Sequence, residues 1–112
     1  ALTLWQRALS ATVQSDAPDL TARQLAILLH VYLLPPPHTV RGLAAALQLS
    51  KPVVTRALDR LATLGLARRR KDETDKRNVL IQRTVAGSVF LSDLAARIEA
   101  AGAALAQAEL TS

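Results

Sequence analysis

A chain of 112 residues is the length of one domain, and half of it is apolar, enough to bury a core, which excludes an intrinsically disordered type. It has no cysteine, which excludes disulfides, thiolate metal sites, Cys nucleophiles and thiol-based sensing, and which fits a cytoplasmic setting. The net charge of +5 is unevenly spread: Lys51 to Arg83 holds ten Lys/Arg against four Asp/Glu, and the remainder holds four against five. An anionic partner on that third follows, with nucleic acid ahead of membrane; the competing reading is a solvated surface. Leu and Ala dominate over single Trp, Tyr and Phe residues, which favours helices. No apolar run approaches the ~18 residues of a membrane span, and no basic signal sequence is visible. The lack of any Met, including an initiator, is expected of a chain trimmed at its start.

Leu2, Trp5, Leu9 and Val13 recur at helical spacing, and "DAPD" (Asp16 to Asp19) breaks that first helix. Thr21 with Gln24 has the form of a capping box opening "ARQLAILLHVYLL", whose apolar positions nearly encircle the axis and predict a buried helix. Pro35 to Pro37 end it. Thr39 is placed to cap a short helix with Val40, Leu43 and Leu47 inward, in which Gly42 is a weak helix former. After "QLS", Ser50 caps the next helix, Pro52 sits in its first turn, and Gly65 lies just past its end. Two helices joined by so short a turn form a helix-turn-helix.

The pattern then changes to two short segments, "LARRR" and "NVLIQR", that read as strands, with Val79 and Ile81 on one face. "RRRKDETDKR" (Arg68 to Arg77), nine of whose ten residues are charged, bridges them. Thr84 caps a last long helix whose stripe, Val85, Val89, Leu91, Leu94, Ile98 and Leu105, exceeds the need of one small domain. Helix, turn, helix, strand, loop, strand is the order of a winged helix-turn-helix. The expected fold is mainly α with minor β (α+β minor), a winged helix-turn-helix with terminal helices.

In the second helix of the motif, Val54, Ala57, Leu58 and Leu61 fall at core spacing. Ser50, Lys51, Thr55, Arg56, Asp59 and Arg60 then face outward, with Val53 near the start. Such a face suits the major groove, where Arg pairs with guanine and Thr or Val meets a thymine methyl. A basic hairpin directly behind it strengthens that reading.

"LSKPVVTRALDRLATLGLARRRKDETDKRNVLIQRTVAG" resembles the core of the MarR-type transcriptional regulators. The matching features are Thr55-Arg56, Leu61 to Leu66, Arg68 to Arg70, Asp72, Asp75-Lys76-Arg77 and Thr84 to Gly87; "LTARQLAILLHVY" and "TVRGLAAALQLS" resemble the family's earlier helices. The resemblance implies a sequence-specific regulator of transcription, usually a repressor, acting as a homodimer on palindromic double-stranded DNA. It implies one domain, with dimerisation helices at 1–16 and 85–112 and a DNA-binding lobe at 21–84. Helix 51–64 would enter the major groove and the wing, 68–83, the minor groove. Arg77 would be the minor-groove residue and Asp75 its orienter, with Asp72 and Glu73 toward solvent. The family commonly has a better helix former where Gly42 stands, and often Arg-Arg where this loop has Lys76-Arg77.

The residues expected to meet DNA are Thr39, Arg41, Ser50, Lys51, Pro52, Val53, Thr55, Arg56, Arg60, Arg68, Arg70, Lys71, Asp75, Lys76 and Arg77. The family's effector pocket lies between its dimer helices and DNA-binding lobe. A small aromatic or apolar acid is the effector it implies, with Trp5, His30 and Arg41 as candidate contacts and Trp5 otherwise a core or dimer residue. His30 and His38, eight apart without Cys, make a poor metal site, so no metal or cofactor is expected. No acid/base pair, phosphate loop or nucleophile elbow points to an enzyme. The rival reading is a winged helix used for protein or RNA contact, which would show apolar anchors on the face from Lys51 to Arg60; only Val53 is apolar there.

Overall fold

The computed structural model describes residues 1–111. Five helices and three short strands follow in the order α1 (Leu2–Gln14), α2 (Ala22–Leu33), β1 (His38–Thr39), α3 (Val40–Leu47), α4 (Lys51–Thr63), β2 (Ala67–Lys71), β3 (Val79–Arg83) and α5 (Val85–Thr111). They divide into two compact units. One is Ala1–Asp19 with α5 from Val89 onward, and the other is Leu20–Ser88.

In the larger unit, side chains at the helix starts fix where each helix begins. Thr21 accepts from the Gln24 amide while the Gln24 side chain accepts from the Thr21 amide, a complete capping box. Thr39 accepts from Gly42 N, Ser50 from Val53 N and Thr84 from Gly87 N. At Gly42 an added Cβ would stand 3.1 Å from the Thr39 hydroxyl, so the cap sits closely over the missing side chain. Helix α2 stops before Pro35, whose ring cannot continue it. Helix α3 stops at Gln48 in the left-handed region (φ 53°), and the Leu49 amide returns to Ala44 O. Gly65, at φ 73°, then turns the chain out of α4 into β2.

The core of this unit is Ile27, Leu28, Val31, Leu43, Val54, Leu58 and Leu61, all fully buried. Each contributes about 1.5–3 kcal/mol of apolar transfer. Helix α2 is buried along one side only: Leu33 and Leu34 are exposed, contrary to the encircling apolar pattern. The unit covers α2 with α3, α4 and β3.

The sheet is antiparallel in the order β1-β3-β2. Strand β1 lies between the proline stop and the Thr39 cap, where the sequence predicts no strand. His38 pairs with Ile81, is 7% exposed and has its Nε2 3.0 Å from Leu34 O. Two residues are too few to show a period of two. In the hairpin, Arg69 lies opposite Ile81, and Arg68 and Arg70 lie opposite Gln82 and Leu80. Alternation therefore puts Arg69 on the Ile81 face and Arg68 and Arg70 on the other.

In the smaller unit, Ala8, Leu94 and Ala101 are buried. Arg97 Nε donates to Thr12 Oγ1 at 3.0 Å, and Thr12 in turn donates to Ala8 O. The periodic residues of α1 are left uncovered: Leu2 is 84% exposed, Val13 70%, Trp5 45% and Leu9 41%.

Candidate nucleic-acid interface

Helix α4 presents its polar side to solvent because its other side is consumed by the core. Val54, Ala57, Leu58 and Leu61 are buried, whereas Lys51, Pro52, Thr55, Arg56, Asp59 and Arg60 are exposed and Val53 is half-buried. The two flanks of that outer face meet different neighbours. Asp59 accepts from Arg69 Nη1 of β2, an ion pair between partly exposed groups. On the other flank, Val53, Arg56 and Ala57 share a cleft with Thr21, Arg23 and Gln24 at the start of α2. The Ser50 hydroxyl is occupied as the α4 cap and the Thr39 hydroxyl as the α3 cap, so each offers only its remaining hydrogen-bonding capacity to a partner.

The hairpin ends in a loop organised by its two aspartates. Asp72 Oδ1 accepts from Thr74 N at 3.0 Å, Thr74 Oγ1 at 2.7 Å and Asp75 N at 3.3 Å. It is half-buried and holds the turn, where the sequence reading places it simply toward solvent. Asp75 grips Arg77 from two sides, Arg77 Nε to Oδ1 at 3.1 Å and Nη2 to Oδ2 at 3.2 Å, and also accepts from the Arg77 amide. This bidentate pairing fixes the plane of a guanidinium that is otherwise open to solvent. Both carboxyls are held below the ordinary value of 3.8. For Asp72 the leading cause is the Thr74 hydroxyl; for Asp75 it is the Arg77 guanidinium, with a smaller favourable effect from the charge of Arg41.

Arg41 is exposed in the first turn of α3, and its charge thereby reaches the wing tip. Arg68 donates to Gln82 Oε1 at 3.0 Å; Arg70, Lys71 and Lys76 are exposed along the hairpin. Thus the DNA-binding candidates from Thr39 through Arg77 all fall within the larger unit, on β1, α3, the turn into α4, α4 and the hairpin. Of the effector candidates, Trp5 lies in the smaller unit, and His30 and Arg41 lie in the larger one, His30 packing edge-on to His38 with ring centroids 5.6 Å apart. Among the described residues no cluster of three or more His, Asp or Glu could hold a metal, and no helix is long and apolar enough to cross a membrane.

Three contributors escape the sequence reading. Arg69 is legible only as one of the basic run Arg68 to Arg70, and its ion pair with Asp59 shows that it faces α4. Arg23 is far from Arg56 along the chain, and no spacing relates them. Tyr32 bridges distant segments at the base of the hairpin: its hydroxyl accepts from Thr84 N and lies 2.7 Å from Leu66 O, beside Gly87. The guanidinium of Arg83, 5.8 Å from the Tyr32 ring, donates to Val31 O and Leu34 O at the end of α2. Only a lone Tyr in an apolar helix, which must find a partner for its hydroxyl, signals any of this in the sequence.

A helix-turn-helix with an exposed polar recognition face, followed by a basic antiparallel hairpin, is a winged helix-turn-helix. Comparison with known proteins carries the assignment further: the profile of the MarR family matches residues 19–78, more than half of the chain, and the protein belongs to that family. It is a DNA-binding transcriptional regulator. Among solved structures, a point mutant of S. aureus MepR bound to an oligodeoxyribonucleotide is similar, with 25% identity and a TM-score of 0.80, over 93% of this chain and 74% of that one. A MarR-family transcriptional regulator from Rhodococcus sp. RHA1 has 27% identity and a TM-score of 0.68, over 88% and 67%. CouR from Rhodococcus jostii RHA1, bound to p-coumaroyl-CoA, has 28% identity and a TM-score of 0.65, over 88% and 66%. No curated protein matches the sequence.

Proposed function

We propose that the protein is a repressor that binds a palindromic operator as a homodimer, with α4 in the major groove and the hairpin tip in the minor groove. The observation that carries the reading is Arg77, solvent-facing at the tip and aligned by both oxygens of Asp75. A guanidinium held in one plane can enter a narrow A·T-rich groove, whose negative potential favours it, without first losing rotamer freedom. Lys51, Thr55, Arg56 and Arg60 supply the major-groove face, and Arg41, Arg68, Arg70, Lys71 and Lys76 supply phosphate contacts.

Support for the dimer comes from the uncovered stripe Leu2, Trp5, Leu9 and Val13, too large an apolar array to leave in water. The segments 1–16 and 85–112 would form the two-fold contact, and half-sites would lie about one helical turn, ~34 Å, apart. A small aromatic or apolar acid is the effector class to test, with Trp5, His30 and Arg41 as candidate contacts, and the chain would work in the cytoplasm with its target DNA.

Selecting bound sites from random duplex DNA at a stated salt concentration tests this reading, because affinity for a polyanion depends steeply on salt. A two-fold palindrome bound by a dimer is the expected outcome. A monomer at micromolar concentration, or enrichment of no common site, overturns it, and the latter would favour a winged helix used for protein or RNA contact.

A further inference from the structure

Arg23 is not part of the helix-turn-helix or the wing, yet it lines the same cleft as Val53 and Arg56 of the recognition helix. The cleft measures ≈ 180 Å³, below the range of drug-sized ligand sites, and its walls are Thr21, Arg23, Gln24, Val53, Arg56 and Ala57. Two of those six residues are guanidinium-bearing and none is acidic. The capping box uses the Thr21 hydroxyl and the Gln24 side-chain carbonyl as acceptors, so the charged donors that line the cleft are the two arginines. Among the described residues neither Arg23 nor Arg56 is ion-paired, in contrast to Arg69 on the opposite flank of α4, which Asp59 neutralises.

We propose that the Arg23–Arg56 cleft is a phosphodiester subsite: Arg23 grips the backbone of the duplex whose bases α4 reads. The inference rests on the DNA reading given above and adds a contact from α2. Arg56 is shared between the flank and the outer face of α4, so a phosphate held by Arg23 would set the depth and register of α4 in the groove. Phosphate contacts fix register without carrying sequence information. On the Asp59–Arg69 flank the guanidinium is already paired with a carboxylate, so Arg69 is less available to a phosphate than the unpaired arginines of the Arg23–Arg56 cleft.

The test is a salt titration of the full chain on its preferred duplex and on a scrambled duplex. Arg23→Ala, Arg23→Lys and Arg77→Ala are compared with the parent. Arg23 is exposed, so the variants should retain the parent's thermal midpoint, which is measured alongside. If the subsite exists, Arg23→Ala lowers affinity by the same factor on both duplexes and reduces the slope of log K against log[salt] by about 0.9, one phosphate's worth. Arg23→Lys, which keeps the charge, restores the slope. An unchanged slope with Arg23→Ala, while Arg77→Ala still weakens binding, overturns the subsite and leaves the DNA reading intact. A loss confined to the preferred duplex overturns it too, by making Arg23 a base reader. Absence of salt-dependent duplex binding by the parent overturns both.

Discussion

The hydroxyl of Tyr32 fills the space that a side chain on Gly87 would need. A Cβ at position 87 would land on that hydroxyl and on the Leu66 carbonyl oxygen, so the first turn of α5 can approach the end of β3 and the exit of α4 only as glycine. The same hydroxyl accepts from Thr84 N at 2.9 Å and lies 2.7 Å from Leu66 O, while Thr84 Oγ1 donates to Gly65 O at 2.7 Å. One phenol thus ties the last residue before α5 to the turn that leads into the wing. Gly87→Ala is expected to destabilise the fold by about 1–3 kcal/mol or more, since backbone and not a flexible tip is in the way. Tyr32→Phe should lose about 1–3 kcal/mol through partners left unpaired. Denaturant midpoints measure both, and a midpoint unchanged by Gly87→Ala would contradict the close approach.

At the wing tip, Arg77→Ala should weaken DNA binding most where the flanks are A·T-rich. Asp75→Ala leaves the guanidinium in place but unaligned, so it should give a smaller loss with the same flank dependence. Binding assays on duplexes that differ only in their flanks distinguish this from a general charge effect, in which A·T-rich and G·C-rich flanks would suffer equally.

Arg56→Ala should cost roughly 1–3 kcal/mol on the preferred site and relax specificity at one base pair if Arg56 reads a guanine. A position-by-position base substitution of the site gives the answer. A uniform loss on all sequences would assign Arg56 wholly to the backbone.

The Asp59–Arg69 pair joins the recognition helix to strand β2 with both side chains substantially exposed. Solvent screening limits such pairs, and a double-mutant cycle of Asp59→Ala with Arg69→Ala should return a coupling of about 0.2–1 kcal/mol that shrinks with added salt. Coupling well above that range would show that the pair organises more of the wing than its own contact.

Because Asp72 and Asp75 are held below 3.8 in the folded chain, their contribution to wing order is present above that value and is lost only as pH falls through their lower folded values. Chemical shifts of the Thr74 and Arg77 amides should therefore stay constant from neutral pH down to about 5. A transition at those amides centred at or above the ordinary value of 3.8 would mean that the carboxyls are not held by their partners in solution.

The caps at Thr21, Thr39, Ser50 and Thr84, the stop at Pro35 and the turn at Gly65 are all legible in the sequence, because each depends on residues close to itself in the chain. The inward face of α4 and its polar outer face are legible for the same reason: a helical period is a local property. The pairing of Asp75 with Arg77 needs only a two-residue reach, and the resemblance to MarR-type wings implies it. What the tertiary structure alone decided lies between distant residues. His38 became a strand by pairing with Ile81, Arg69 turned to Asp59, Tyr32 met Thr84 and Gly87, and Arg23 came to share a cleft with Arg56. No periodicity encodes such meetings. They are set by which helices the core brings together, and by a strand register that sends alternate arginines of one basic run to opposite faces.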